Sequence, residues 1–576
     1  MPTIQRRPAV SSQFSDAVHP LLKPLLAARG ASSDQDIDYR LANLHKPDTL
    51  KGLDKAVDLL ATALEQQQRV LLVGDFDADG ATSCALAITA LQAMGLQWVD
   101  FLVPNRFEYG YGLTPEIVRV ARDKSPDLLV TVDNGIASIA GVAEAKKYGI
   151  NVLVTDHHLP GDSLPDADAI VNPNQPGCEF PSKNLAGVGV IFYVLSALRA
   201  RLREQRWFEQ HNITEPTMAD YLDLVALGTV ADVVPLDRNN RILVHQGLQR
   251  LRVGKATPGI IALLEVAGKD FRQATSTDFG FIVGPRLNAA GRLDDISCGI
   301  QCLLTQDAQV ARDIAVELDG LNRDRRAIEA AMQQEALAAL DQIQLDQEKL
   351  PAGISLYHPQ WHQGVVGILA SRIKEKFHRP VIAFAPSGNN DGQLKGSARS
   401  ITHLHIRDTL DNIATGHPDV LQKFGGHAMA AGLSIEETQL ATFTKLFEQA
   451  VQAQLSEDEL TEVILSDGDI PPQQLTLSLA EAIEQAGPWG QQFPEPVFDG
   501  DFYVVQQRIV GEKHLKMVLA FDAKGHHTID AIAFNIDTQQ WPDQSAQKLH
   551  LVYQLTVNRF RGNASPQLLI RHLDKH

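Results

Sequence analysis

Acidic side chains in this sequence gather at the ends of apolar runs. The run Val70-Leu-Leu-Val stops at Gly74, and Asp75, Asp77 and Asp79 follow at alternate positions. Asp133-Asn-Gly follows the run from Leu128 to Val132, and Asp156-His157-His158 follows the run from Val152 to Thr155. A longer apolar stretch, from Leu224 to Ala231, leads into Asp232. Close carboxylates repel one another and desolvate poorly, so such a cluster needs a counter-charge. A divalent cation is the simplest, and hard oxygen ligands suit Mg²⁺ or Mn²⁺. Five or six Asp with one or two His can hold two such ions about 3.5–4 Å apart under one bridging carboxylate, which activates water and neutralises a phosphate for in-line displacement. No Lys or Cys nucleophile accompanies the motifs, which favours direct attack by water. A single Asp after a strand is usually a turn or a helix cap; four such ends, with His-His among them, are not explained that way.

The elements that must position these groups alternate between strand and helix. Strands are predicted at Val70–Val73, Val99–Val103, Leu128–Val132, Val152–Thr155 and Ala169–Val171. Helices are predicted from Asp54 to Gln67, Ala81 to Ala93, Pro115 to Lys124 and Ala137 to Tyr148. This is the pattern of an open, mostly parallel sheet with helices on both faces. In such sheets the site lies beyond the carboxyl ends of the strands, and strand-end geometry is expected to converge all the acids on one edge.

Asp156-His157-His158, with Asp77-x-Asp79 and Asp133-Asn-Gly, resembles the DHH phosphoesterase family. Four further motifs extend the resemblance over nearly the whole chain and are similar to those of the family's single-stranded-DNA exonucleases. They are Gly284-Pro-Arg-Leu-Asn-Ala-Ala-Gly-Arg292, Trp361-His-Gln-Gly-Val-Val-Gly-Ile-Leu-Ala-Ser-Arg372, Lys395-Gly-Ser-Ala-Arg-Ser400 and Gly425-Gly-His427. The resemblance implies that Asp133 bridges two metals, that Asp79, His157 and Asp232 complete one site, and that Asp77 serves the other. It implies that His158 contacts the scissile phosphate, so that Asp77, Asp79, Asp133 and His158 carry the reaction. Family members often place a ligating His where this chain has Val73; either Asp75 or water takes its place. The implied activity is 5′→3′ hydrolysis of single-stranded DNA in recombination, mismatch repair and base-excision repair. The implied helpers are a single-strand-binding protein and a helicase that supplies single strands.

The remaining chain supplies candidate DNA contacts. Asn105-Arg-Phe-Glu-Tyr-Gly-Tyr-Gly112 follows the second strand, with Arg106 suited to a phosphate and Tyr109 or Tyr111 to a base. Arg286 and Arg292 stand in a glycine-rich stretch that suits phosphate binding, with a pair of structural Arg–carboxylate bridges to the adjacent Asp294 and Asp295 as the competing expectation; Arg286 is expected in the site. Residues 303–347 read as one long helix. A second α/β unit follows, with strands Ile354–Tyr357 and Val381–Phe384. By resemblance its His362, Arg372, Lys395, Arg399 and His427 face the metals across a cleft, and Gly425-Gly-His427-Ala is expected to open a phosphate-binding helix. An acidic, proline-bearing linker precedes five short strands that fit an OB-type barrel. The fold class is thus α/β: a parallel-sheet DHH domain and a DHH-associated domain joined by a long helix, plus a C-terminal OB-like β-barrel. The boundaries expected are 1–50 for an N-terminal segment without evident chemistry, 51–300, 301–350 for the helix, 351–455 and 456–576.

Bulk properties narrow the alternatives. With 576 residues, 44% hydrophobic and 21% charged, the chain has room for several cores and no apolar run of the roughly 20 residues a bilayer requires. No apolar stretch follows the basic N-terminus, so no secretory signal is expected and the cytoplasm is the expected compartment; a monomer without membrane attachment is the default expectation. Four cysteines without zinc-site spacing do not make a disulfide framework. A net charge of -18 argues against coating by nucleic acid, though not against a local basic groove. Two rivals differ in kind: a phosphoesterase for small substrates, which would lack the barrel, and a non-catalytic scaffold, which would have lost its ligands.

Overall fold

The computed structural model describes residues 2–103, 112–347, 350–388, 392–421, 423–538, 540–560 and 562–575, with backbone alone over 341–347. The chain divides into two compact units, one of Arg6–Asp319 with Leu465–His576 and one of Met1–Gln5 with Gly320–Ile464. Its first strand is β1 (Thr3–Arg6).

In the larger unit, β2 (Val70–Gly74), β3 (Val99–Leu102), β4 (Leu128–Val132), β5 (Asn151–Thr155) and β6 (Ala169–Val171) form one parallel sheet in the order β3-β2-β4-β5-β6. The central strands are apolar at nearly every position because both faces are covered, so alternation is absent. The Ala78–Ala93 helix is buried on all sides over its first eleven residues, as its run of small side chains permits. The expected helices occur, with ends shifted by no more than a few residues. The apolar stretch before Asp232 is not a strand. It is the Leu222–Ala231 helix, with Asp232 as its C-cap. Buried on every side, this stretch lacks an amphipathic period, and a short all-apolar run does not distinguish strand from helix.

The long helix is interrupted. Ser297–Leu304 ends at Thr305, whose extended backbone starts a turn, and Ala308–Gln347 begins beyond it. Asp307 restarts the helix by accepting hydrogen bonds from Gln309 N and Val310 N.

The smaller unit holds β7 (Ile354–Tyr357), β8 (Val381–Pro386), β9 (Gln393–Arg399), β10 (Lys423–Gly426) and β11 (Ala430–Glu436) in the order β10-β11-β9-β8-β7. Only β7 and β8 are parallel; the other pairs are antiparallel. Gly425-Gly-His427 does not open a helix. It ends β10 and turns into β11, and Gly426 has φ +145, where a side chain is strained. The expected linker contains β12 (Val463–Ser466), which pairs with β1.

β13 (Phe498–Val510), β14 (His514–Ala520), β15 (Thr528–Ala533), β16 (Lys548–Phe560) and β17 (Asn563–Lys575) close a barrel in the order β13-β14-β15-β17-β16, with a parallel β15–β17 seam. Residues 1–50 do more than their sequence announced. Arg29 forms a bidentate pair with Asp467 at 2.9 and 2.7 Å, with side chains 1% and 2% exposed, and its guanidinium lies over the Trp489 ring. Ser276 donates to the Trp489 carbonyl, so this tryptophan is packed where the barrel's approach meets the helices.

Candidate metal centre

Each ligand-bearing turn is shaped by its own sequence. Asp77 caps the Ala78–Ala93 helix, accepting from Asp79 N at 2.9 Å and Gly80 N at 3.1 Å. Asp79, fully buried in the helix's first turn, accepts from Gly187 N at 2.6 Å and Val188 N at 2.9 Å, the start of the Gly187–Glu204 helix. Asp133 leaves β4 with φ +62, a conformation that Asp tolerates better than most residues. Asn134 fixes that turn by donating to the Val73 and Val132 carbonyls, each at 2.9 Å. The carbonyls of His157 and His158 are held by Asn174 and Asn172.

These turns converge. One ligand atom from each of Asp75, Asp77 and Asp133 lies within 4.8 Å of the others, and the same holds for Asp79, His157 and Asp232 and for Asp133, His157 and His158. His157 Nε2 is 3.0 Å from Asp133 Oδ1 and 3.4 Å from Asp232 Oδ2. All seven side chains predicted to act at the metals are therefore together, with Asp75 beside Asp77 and Asp133 where Val73 offers nothing. Asp232 joins them from a helix end rather than from the sheet edge.

The electrostatics separate two kinds of acid. Burial, and then the charges of Asp79, Asp77, Asp232 and Asp75, lifts the Asp133 carboxyl well above the usual carboxylate range. Burial and then Asp79 do the same to Asp232, while burial and then Asp77 push Asp79 up to about 7. Asp156 is as deeply buried, yet it is held below the ordinary range. Burial opposes its charge, but His158 Nδ1 at 2.7 Å and Ile136 N at 2.9 Å outweigh it. For His158, burial disfavours the charged ring, but Asp156, then Asp75 and Asp77, push it up to about 9. Burial and mutual repulsion thus disfavour the charged forms of Asp133, Asp79 and Asp232, in a set of carboxylate oxygens and imidazoles that fits hard divalent cations.

The sequence did not reveal the residues that keep this centre open. A Cβ on Gly187 would sit 2.5 Å from Asp133 Cβ, and one on Gly228 would sit 2.9 Å from Asp79 Oδ1. Asn288 accepts from Ala78 N at 2.7 Å, and a Cβ on Gly291 would strike the Phe76 carbonyl, so the helix Gly284–Leu293 backs the first acidic turn. Asn172-Pro-Asn174 and the small residues around Gly187 were the available signals.

The predicted DNA contacts fare differently. Arg106, Tyr109 and Tyr111 lie outside the described residues. Arg286 is buried and bonded through Nε and Nη2 to Asp319 at 3.0 and 2.7 Å and through Nη1 to the Ile282 carbonyl. It has an internal carboxylate partner, but neither of the two expected from the sequence. In the smaller unit, Lys395 and Arg399 share one face of β9 with Ser397, and Arg399 bonds Ser397 Oγ at 3.0 Å. Arg372 pairs with Glu329 at 2.9 Å and Glu375 at 3.2 Å. His362 Nδ1 accepts from Gly364 N, and His427 is exposed at the β10–β11 turn. In the barrel, Lys516 is paired with Asp530 and Arg559 with Glu484. Among the described residues no helix is long and apolar enough to cross a membrane.

Residues 69–229 match the DHH family, N-terminal domain, residues 350–453 the DHHA1 domain and residues 466–572 the RecJ OB domain. A protein of Dickeya dadantii named single-stranded-DNA-specific exonuclease RecJ is 55% identical over 99% of this chain and 98% of its own length. Crystal structures of RecJ from Thermus thermophilus in complex with Mn²⁺ and with Mg²⁺ each cover 99% of this chain. Their TM-scores are 0.77 and 0.71 at 30% and 28% identity, over 80% and 79% of their own chains.

Proposed function

The chain belongs to the RecJ family of DHH proteins, and from that premise we propose that it is a metal-dependent exonuclease removing nucleotides from the 5′ end of single-stranded DNA. The observation that carries this reading is the meeting of Asp75, Asp77 and Asp133 with Asp79, His157 and Asp232 at the ends of β2, β4 and β5 and of the Leu222–Ala231 helix. Two divalent ions, Mg²⁺ or Mn²⁺, would supply an activated water and neutralise the phosphate. Asp133 would be shared between them, with Asp79, His157 and Asp232 on one and Asp77 with Asp75 on the other. His158, held through Nδ1 by Asp156, would offer its other ring nitrogen to the scissile phosphate's oxygens. Lys395 and Arg399 on β9, with His362, Arg372 and His427, would bind the DNA backbone or its 5′ end. Arg106, Tyr109 and Tyr111, which follow β3 in the sequence, would contact the strand. Arg286 would brace the helix that backs Asp77.

The domain division that fits this role is a catalytic DHH part over 51–300, helices to 350, a DHH-associated part to 455 and a strand-holding barrel beyond. We further propose that it works in cytoplasmic recombination and repair, alongside a single-strand-binding protein and a helicase, a reading that membership of the family supports.

The test is digestion of 5′- and 3′-labelled strands with Mg²⁺ or Mn²⁺. Linear single strands should be degraded from the 5′ end, circular ones should resist, and Asp133→Ala should lose cleavage while keeping its circular dichroism. Rapid cutting of circles, or wild-type rates in Asp133→Ala, would refute it.

A further inference from the structure

Three exposed apolar side chains stand on segments that carry or abut the acidic centre's residues. Phe279–Val283 winds as a π-helix, with Gly284 N donating to the Phe279 carbonyl. Phe279 and Val283 are buried, whereas Phe281 between them is 74% exposed. Single π-turns disturb helix regularity and recur at functional sites. This one abuts the end of the helix that delivers Asp232: a Cβ on Gly280 would lie 3.4 Å from Val230, and one on Gly284 would lie 3.1 Å from Ala231. Seven residues on, Asn288 holds the Ala78 N–H, which puts Phe281 about 10 Å along the helix from the Asp77–Asp79 turn.

Two more apolar residues directly follow ligands. Val233, 63% exposed, comes after Asp232 and has φ +61, a conformation a β-branched residue adopts only under constraint. Leu159, 62% exposed, comes after His158, on a loop pinned by Asn172. The 3.4 Å approach of His157 to Asp232 joins the turns that carry them. Apolar side chains have no donor for a phosphate, but they suit the faces of bases, and every base has one.

We propose that Phe281 stacks on a base of the substrate strand beside the scissile nucleotide, with Val233 and Leu159 as apolar floor. The grip is independent of sequence, because these three side chains carry no hydrogen-bonding group to read a base edge. This rests on the exonuclease reading above.

The experiment compares the full-length wild type with Phe281→Ala and Phe281→Trp on an oligothymidylate and on the same strand with one abasic site stepped through its first positions. Wild type should lose about tenfold in kcat/KM at the stacking position, and Phe281→Ala should lose about tenfold on the intact strand, through KM, with no further loss at the abasic site. Phe281→Trp should restore wild-type behaviour, and both melting temperatures should match wild type because the ring is exposed. Phe281→Ala digesting the intact strand as wild type does, or remaining as sensitive to the abasic site, would overturn the stacking role alone. Failure of the wild type to digest the intact strand with Mg²⁺ or Mn²⁺ would overturn the exonuclease reading and this one with it.

Discussion

Asp133 and Asp156 are both buried at strand ends, yet their proton affinities move in opposite directions because of what each faces. Asp156 meets donors and stays ionised; Asp133 meets other acids. For Asp133, Asp79 and Asp232 the folded pKa lies above the unfolded one. Their contribution to stability is therefore present below the ordinary carboxylate range and is lost as pH rises, for Asp79 through about 7. Metal-stripped protein should melt at progressively lower temperature as pH rises from the ordinary carboxylate range through about 7. Added Mn²⁺ should restore more as pH rises, by about 2.7 kcal/mol at a hundredfold excess over Kd. Thermal melts with and without Mn²⁺ across that range check this, and a gap that does not change with pH would contradict it. Asp156→Asn leaves the His158 ring without its anionic partner, and the rate should fall by roughly 10–100-fold, as for other residues that orient a site group. Single-turnover cleavage at saturating Mn²⁺ measures it.

At the scale of elements, the centre depends on helices brought close to the sheet end. The Gly187–Glu204 helix approaches so nearly that its first N–H groups serve Asp79 and its glycine touches Asp133. Gly187→Ala should displace Asp133 or the helix, at a cost of about 1–3 kcal/mol in stability. Displacing a ligand by even about 1 Å should cost about 100-fold in rate. Urea unfolding together with kinetics tests both, and an unchanged rate would show that the approach is not needed.

For the whole molecule, the N-terminal segment fastens the barrel's approach. Arg29 and Asp467 are a fully buried pair, so Arg29→Ala leaves the buried carboxylate with only Arg7, at 3.6 Å, as counter-charge and should cost about 3 kcal/mol. The same variant should make the region around Asp467 to Trp489 more sensitive to limited proteolysis. Equal proteolysis of wild type and variant would count against a fastening role.

Much of the centre was legible from local chemistry. Acids at strand ends, a paired histidine and apolar runs fix which turns can carry ligands, because a parallel strand must be apolar throughout and its end must turn. Residues 70–74, 128–132 and 169–171 needed little beyond their own composition. What tertiary structure decided depends on partners distant in sequence. Asp232 arrives from a helix because an all-buried apolar run has no period to betray its type. Gly425-Gly-His427 turns a hairpin because β11 pairs back onto β9. Arg286 finds Asp319, 33 residues away, and Gly187 and Gly228 matter only because Asp133 and Asp79 come to rest against them. Residue type sets which groups can ligate, while close packing alone sets which backbone must give them room.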